Sequence, residues 1–247
     1  MPVEREETLY IDVDDDGEEE QVEVLLKYQK EKTDPGDTLL LRVDGRSISQ
    51  PLNGLLTGGY IFRQENGQTW LYAEAAGDND CRSVAVFDLS GEKPAFQGTS
   101  AVYFDDLVPM DSEKFWMKAR MCALSTYEAC GKFKIGEDGL PQMAEFGYQM
   151  DFTGAMGEET DVFSGIRTRR EIPAKRLTEE GRPGEKSSIP KGTLVKFIGT
   201  DNKKYVDMET EQGERYRVFY KTKVEWVSYT IGGIDIFDCF DGLIFAG

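Results

Sequence analysis

The stretch Leu9-Tyr10-Ile11-Asp12-Val13-Asp14 decides the fold class, because apolar and polar side chains alternate along it. In an extended strand successive side chains point to opposite faces, so Leu9, Ile11 and Val13 share one face and the two aspartates share the other. Residues 22–26 repeat the alternation after an acidic loop. The two stretches therefore predict a β-hairpin with one apolar face.

The same alternation recurs along most of the chain, with turn residues such as Asp44-Gly45, Asn66-Gly67 and Asp138-Gly139 between the alternating stretches. This spacing indicates antiparallel sheets rather than βαβ units. Further strands are predicted at residues 39–43, 60–63, 70–75, 84–89, 101–104, 133–135 and 146–152. One segment, 111–123, stays open, because its apolar residues fit both helical spacing and strand alternation.

Composition changes at residues 177–188, which contain almost no apolar side chain and are followed by Pro190. Such a stretch is typical of a linker or a long loop. Short strands predicted at 194–198, 205–209, 215–219 and 234–245 follow closely, which suits a small closed or nearly closed β-barrel. We therefore expect a propeller-like or curved-sheet antiparallel region over 1–176, a linker over 177–188 and a barrel over 189–247.

The C-terminal part resembles a known type of barrel. Pro190-Lys191-Gly192-Thr193, Thr200-Asp201-Asn202 and the ending 240–247 are similar to barrels of the bacterial Src-homology-3 type. Together with Tyr10-Ile11-Asp12-Val13-Asp14-Asp15-Asp16-Gly17, Trp70-Leu71-Tyr72-Ala73-Glu74 and residues 136–141, these motifs resemble uncharacterised exported proteins of Gram-positive bacteria. The resemblance covers most of the chain and implies an architecture and export from the cell, but no activity.

The 247-residue chain is strongly acidic. Its 29 basic and 46 acidic residues give a net charge of −17, which repels nucleic acid and anionic lipid. The basic residues between 167 and 176 are interrupted by Glu171 and Pro173, which favours a solvated linker over a binding patch. No run approaches the roughly 20 apolar residues that span a bilayer. The start lacks an apolar signal core, so we expect either a cytoplasmic protein or one whose leader has been removed.

The four cysteines are widely spaced, at Cys81, Cys122, Cys130 and Cys239. They allow two disulfides in three connectivities, and they are equally consistent with small buried apolar residues. Their spacing therefore leaves the compartment open.

The acidic loop carries the strongest motif. Asp12-x-Asp14-x-Asp16-Gly17, five further residues and Glu23 match the spacing of a calcium loop, in which carboxylates at alternate positions converge on one ion. The flanking strands contradict an EF-hand, which needs helices. Residues 11–24 resemble instead the strand–loop–strand calcium motif of FG-GAP repeats. That resemblance implies calcium ligands at Asp12, Asp14, Asp16 and Glu20, with Glu23 projecting away. The alternative is a metal-independent hairpin with an Asp16-Gly17 turn. Residues 77–80 resemble a degenerate copy of the loop or a plain turn.

The sequence contains no histidine, which excludes Ser-His-Asp catalysis and histidine-bound zinc. Carboxylate chemistry such as glycoside hydrolysis remains possible, and Trp70, Tyr72, Trp116 and Trp226 would line either a sugar-binding face or the core. We expect a non-catalytic exported or cell-envelope protein that binds a protein or a carbohydrate. The alternatives are a carboxylate-dependent glycan hydrolase, which needs a cleft with two acids of which one has a raised pKa, and a cytoplasmic scaffold.

Overall fold

The computed structural model describes residues 1–27, 36–78, 81–105, 107, 109, 114–145, 147–150, 165–224 and 228–245. The chain forms two compact units. The N-terminal unit comprises Met1–Ala119 and Lys132–Glu145, and the C-terminal unit comprises Arg120–Gly131 and Phe146–Gly247. Antiparallel sheets form most of both units, which confirms the prediction of a mainly β protein.

The N-terminal unit is built from short antiparallel strands. In chain order these are β1 (Pro2–Val3), β2 (Glu7–Ile11), β3 (Glu20–Leu26), β4 (Thr38–Val43), β5 (Arg46–Pro51), β6 (Leu55–Arg63), β7 (Thr69–Ala76), β8 (Arg82–Asp88) and β9 (Ala95–Ser100). One sheet has the order β2-β3-β4-β5 and the other has the order β1-β6-β7-β8-β9. Strands β10 (Phe115–Met121) and β11 (Tyr127–Ile135) each run from one unit into the other, and β12 (Pro141–Met143) pairs with β11.

Turn residues fix these pairings. Between β4 and β5, Asp44 and Gly45 have φ angles of 46° and 76°, so that Val43 lies opposite Arg46. Two consecutive residues with positive φ form the tight hairpin turn whose twist matches the flanking strands. The predicted turn at Asp44-Gly45 is therefore confirmed.

The apolar side chains at alternate strand positions form the core of the N-terminal unit. Apolar side chains from both of its sheets form one cluster, which includes Val22, Leu41, Leu71 and Phe87. Strand β7 differs from its neighbours because every residue from Thr69 to Ala75 is buried. Its second face carries Tyr72, whose ring packs against the rings of Phe62, Phe104 and Phe115.

The C-terminal unit has its own core. Its elements are β13 (Tyr148–Gln149), β14 (Ile166–Thr168), β15 (Ile172–Leu177), β16 (Pro183–Ile189), β17 (Leu194–Thr200), β18 (Tyr205–Thr210), β19 (Arg215–Phe219), β20 (Lys221–Val224), β21 (Ser228–Ile231), β22 (Ile234–Asp235), α1 (Ile236–Cys239) and β23 (Phe240–Asp241). The main sheet of this unit runs β13-β17-β18-β19-β15-β16, and β14 pairs with both β17 and β23. Strands β20, β21 and β22 form a separate small sheet. Buried Phe197, Val206 and Val218 belong to the core cluster of this unit.

The predicted linker at 177–188 forms the tip of a hairpin and most of β16 in the structure. Residues 183–187 are all exposed, and the strand buries an apolar side chain only at its end, at Ile189. The strand is formed by backbone hydrogen bonds to β15, which do not depend on apolar side chains. The lack of apolar residues therefore could not reveal it. The C-terminal compact unit contains residues 120–131 as well as the chain from residue 146 onward.

Three predicted strands differ from the structure. At 101–104 only Tyr103 makes an isolated bridge, to Lys118, and the strand β9 ends just before it. The segment 234–245 is not one strand, because Asp235 accepts a hydrogen bond from the N–H of Phe237 at 3.0 Å and starts α1. Of 146–152, only residues 148–149 are seen as a strand, and residues 146, 151 and 152 lie outside the described residues. The open segment 111–123 contains β10, in agreement with its alternation.

No sheet closes into a barrel in the described residues, and residues 169–171, between β14 and β15, are not part of a strand. All four cysteines are thiols in the structure. Within the described part of the chain, no helix has the length and hydropathy needed to cross a membrane.

A substitution at Gly139 tests the packing of the aromatic face of β7. The φ of Gly139 is 78°, and a Cβ at this position would lie 2.3 Å from Cε3 of the buried Trp70. Gly181 has a similar φ of 74° but no atom within 4 Å of a Cβ. We expect Gly181→Ala to lower the free energy of unfolding by roughly 1 kcal/mol for the backbone alone. Gly139→Ala should cost roughly 1–3 kcal/mol more, because the ring of Trp70 must move.

Urea-induced unfolding of the two variants measures this difference. Equal losses in both would show that the Trp70 ring does not pack on Gly139 as the structure has it.

Candidate functional site

The acidic loop lies between β2 and β3, whose pairing places Ile11 opposite Glu20. One carboxylate oxygen from each of Asp12, Asp14 and Glu20 lies within 4.8 Å of the other two. Calcium takes hard oxygen ligands, and carboxylates that converge in this way are suited to it. The structure thus brings together three of the four residues predicted as metal ligands.

Hydrogen bonds within the loop hold Asp12 in place. Its Oδ1 accepts the N–H of Asp15 at 2.7 Å, and its Oδ2 accepts the N–H of Gly17 at 3.2 Å. Glu20 reaches back in the same way, since its Oε2 accepts the N–H of Val13 at 2.8 Å. Gly17 has a φ of 92°, a conformation that glycine adopts without a steric penalty. The loop is therefore folded around its own carboxylates.

Asp16, the fourth predicted ligand, lies outside this group. Its Oδ1 accepts the N–H of Glu18 at 2.8 Å. Glu23, the last residue of the EF-hand spacing, points elsewhere, with its Oε2 at 3.5 Å from Nη1 of Arg42. Strands flank the loop on both sides, as the alternation predicted.

A cation from a distant strand already approaches the loop. Nη2 of Arg63, at the end of β6, lies 3.2 Å from Oδ2 of Asp12 and also contacts Asp15. Burial raises the pKa of Asp12, but the N–H of Asp15 and the charge of Arg63 lower it more, so the pKa lies below its usual value. Arg63 therefore offsets part of the negative charge of the loop, and a metal ion would share Asp12 with it.

A cavity of about 360 Å³ lies in the same unit, beside the edge strand β1. It opens where the pairing of β6 with β7 shifts register between Leu56 and Gly58, which is a β-bulge. Bulges re-aim side chains and occur next to functional sites. The cavity is lined by Pro2, Val3, Thr57, Gly58, Gly59, Tyr60, Glu74, Arg82 and Asp105.

Glu74 is the most buried charged group of this cavity, with 7% of its surface exposed. Its Oε2 accepts the N–H of Phe104 at 3.0 Å, and its Oε1 accepts the N–H of Asp105 at 3.3 Å. Burial raises the pKa of Glu74 above its usual value, and these N–H groups and the charge of Arg82 reverse the effect only in part. Glu74 therefore keeps its proton to a higher pH than an exposed glutamate.

Asp105 is the second acid of the cavity, and its pKa shifts in the opposite direction. Its Oδ1 accepts a hydrogen bond from Nη1 of Arg82, and its Oδ2 lies 3.0 Å from Nζ of Lys118. Burial raises its pKa, but these two cations lower it more, so the pKa of Asp105 lies below its usual value. The guanidinium of Arg82 lies over the ring of Tyr103, 5.3 Å from its centroid, which fixes the guanidinium from a second side. The cavity thus contains two carboxyl groups with opposite pKa shifts.

Sequence reasoning missed this cavity, since none of its lining residues was predicted to be functional. The available signal was Glu74, the only charged residue in the buried run from Thr69 to Ala75. A lone acid in an apolar strand points to a paired or functional group.

The predicted aromatic residues separate into two kinds. Trp70 and Tyr72 are buried in the core, as the burial habit of such residues predicts. Trp116 is 37% exposed, with Nζ of Lys132 at 5.3 Å from its ring. Trp226 lies outside the described residues, and so do Asn79 and Asp80 of the second acidic turn.

Comparisons of the chain with protein-family models, with curated proteins and with solved structures find no significant match.

Proposed function

We propose that the chain is a non-catalytic binding protein and that the cavity beside β1 is its ligand site. One observation carries this proposal: both acids of the cavity are engaged by internal donors. Backbone N–H groups bind Glu74, and Arg82 and Lys118 bind Asp105. Groups that are fixed in this way are suited to present a rigid surface to a ligand. A general acid must instead release its proton toward a substrate.

The pairing within the C-terminal unit supports the proposal of a Src-homology-3-type architecture there. Strands β17, β18 and β19 form a meander, β14 pairs with β17, and β15 pairs with β19. After α1 the chain returns through β23 to pair with β14. In the N-terminal unit, strands β2 to β5 and strands β6 to β9 form two runs of four consecutive antiparallel strands, which supports the proposal of a propeller-like or curved-sheet region.

We further propose that the acidic loop takes up calcium through Asp12, Asp14 and Glu20, and that the ion stabilises the N-terminal unit. The convergence of the three carboxylates supports this role. They supply at most six of the six to eight oxygens that calcium prefers, so water or backbone carbonyls would complete the shell. The loop would thus act as a stabilising element, separate from ligand binding.

We also propose that the protein is located outside the cell. The resemblance to exported proteins supports this location. The proposed calcium loop supports it too, because calcium sites of extracellular modules work at high calcium concentrations. The thiol state of the four cysteines is what the cytoplasmic alternative predicts, since exported proteins often form disulfides.

The opposite pKa shifts of Glu74 and Asp105 favour a second candidate function, hydrolysis of a glycan. Glycosidases use one carboxyl group that keeps its proton and one that is ionised. In that function Glu74 would be the general acid and Asp105 the ionised partner.

Calcium binding is tested by thermal unfolding of the whole chain with calcium and with chelator. A ligand at a hundred times its dissociation constant stabilises the fold by about 2.7 kcal/mol, so we expect a clear rise in the melting temperature. Asp14→Asn should remove this rise, and Asp16→Asn should retain it, because Asp16 lies outside the group. No rise at millimolar calcium in the unchanged protein, or an equal rise in the Asp14→Asn variant, would contradict the calcium role.

The non-catalytic role is tested with 4-nitrophenyl glycosides of several sugars. We expect the unchanged protein and Glu74→Gln to release nitrophenol at the same background rate. A rate above background in the unchanged protein would establish the hydrolase. Hydrolysis of the matching methyl glycoside, whose leaving group must be protonated, that falls by about 10²–10⁴-fold in Glu74→Gln would then assign general-acid catalysis to Glu74.

A further inference from the structure

We infer that the cavity beside β1 binds a single neutral sugar ring. This inference rests on the binding function proposed above and names the class of its ligand. Three observations lead to it: the size of the cavity, the balance of its charges and the arrangement of its hydrogen-bonding groups.

The size suits a small ligand. A volume of about 360 Å³ lies near the lower end of the roughly 300–1,000 Å³ typical of small-molecule pockets. One ring therefore fits inside, and a longer chain would extend into solvent. All lining residues belong to the N-terminal unit, so the site is complete within it.

The charges favour a neutral ligand. Two acids, Glu74 and Asp105, and one cation, Arg82, line the cavity. Lys118 does not line it but contacts Asp105 at 3.0 Å, and with Lys118 included the formal charges sum to zero. Asp105 lies between the two cations and neutralises the side of Arg82 that faces it. An anion such as phosphate would meet two acids, and a cation would meet the guanidinium. Neither kind of ion gains a net attraction.

The hydrogen-bonding groups favour hydroxyl groups. In the described part of the chain, the guanidinium of Arg82 donates a hydrogen bond only from Nη1, to Asp105, although it carries five N–H donors. Arg82, Glu74 and Tyr60 all line the cavity, and the charge of Arg82 acts on the carboxyl of Glu74. A sugar hydroxyl both donates and accepts, so neighbouring hydroxyls can bind such a mixed set of donors and acceptors.

The rest of the wall fits the other parts of a sugar ring. Gly58 and Gly59 also line the cavity, and their missing side chains allow β6 to approach its neighbouring strands, since a Cβ on Gly59 would lie 2.2 Å from the carbonyl oxygen of Tyr72. Pro2 and Val3 add an apolar edge for the C–H groups of the ring. The ring of Tyr60 is fixed by an edge-on contact with Phe104, with centroids 4.7 Å apart. The ligand would therefore meet a largely preformed site.

Isothermal titration calorimetry of the whole chain with glucose, galactose, mannose and N-acetylglucosamine tests this inference. Inorganic phosphate and glycine serve as charged probes. We expect saturable binding of at least one of the four sugars and none of the charged probes. Arg82→Gln should weaken the sugar at least tenfold, because it removes the fork of donors. Arg176→Gln, which removes an exposed arginine paired with Glu214 in the C-terminal unit, should leave binding unchanged.

Tyr60→Phe provides a second variant in case Arg82→Gln fails to fold. It retains the ring and removes one hydroxyl, so binding should weaken by roughly 2- to 13-fold, as for the loss of one ordinary hydrogen bond. The inference would be overturned if none of the four sugars bound at 50-fold molar excess over about 1 mM protein, or if phosphate or glycine bound instead. Sugar binding unaffected by changes at both Arg82 and Tyr60 would overturn it as well.

The two proposals fail in different ways. Sugar binding together with release of nitrophenol from the matching glycoside would overturn the non-catalytic role and support the sugar site. Absence of sugar binding without hydrolysis would overturn the sugar site and leave the wider binding role in place.

Discussion

Burial of β7 along both faces is the constraint on which the N-terminal unit depends. Its apolar face, with Leu71, Ala73 and Ala75, joins the core that the two sheets share. Its other face carries Trp70, Tyr72 and Glu74 in alternate positions. A carboxyl group on such a strand loses its water and must find donors within the protein. The backbone N–H groups of Phe104 and Asp105 supply them, so the loop after β9 is fixed against β7.

The fixed loop in turn organises the cavity. Asp105 adopts a φ of 55°, uncommon for a residue other than glycine, and its carboxylate bridges Arg82 of β8 and Lys118 of β10. A single buried acid thus holds the loop that carries a second acid, and the second acid binds two cations from neighbouring strands. The acidic loop between β2 and β3 is a different kind of feature, because it is exposed and its negative charge is only partly offset by Arg63. This difference agrees with the different ligands that we propose, a neutral molecule for the cavity and a cation for the loop.

The pattern of apolar residues along the sequence predicted the strands that bury one or both faces, such as β4, β7 and β17. It did so because apolar residues in a strand mark the faces that are buried. It missed β16, whose side chains are mostly exposed, and it joined β22, α1 and β23 into one strand because the cap at Asp235 is a local hydrogen bond. Three of the predicted ligands, Asp12, Asp14 and Glu20, converge, and local spacing is enough to place them on one hairpin. The cavity has no such local pattern, since its residues extend from Pro2 to Asp105 and meet only through sheet register and a bulge.

The central claim is that Glu74 lies buried on β7, with backbone N–H groups rather than a cation as its direct partners. The most direct test is a titration of the Glu74 carboxyl carbon by ¹³C nuclear magnetic resonance, assigned with the Glu74→Gln variant. The claim predicts a pKa above the ordinary glutamate value of 4.5, since the loss of water at this position outweighs its hydrogen bonds. A pKa at or below 4.5 would contradict it, because Glu74 would then be either open to solvent or paired with a cation.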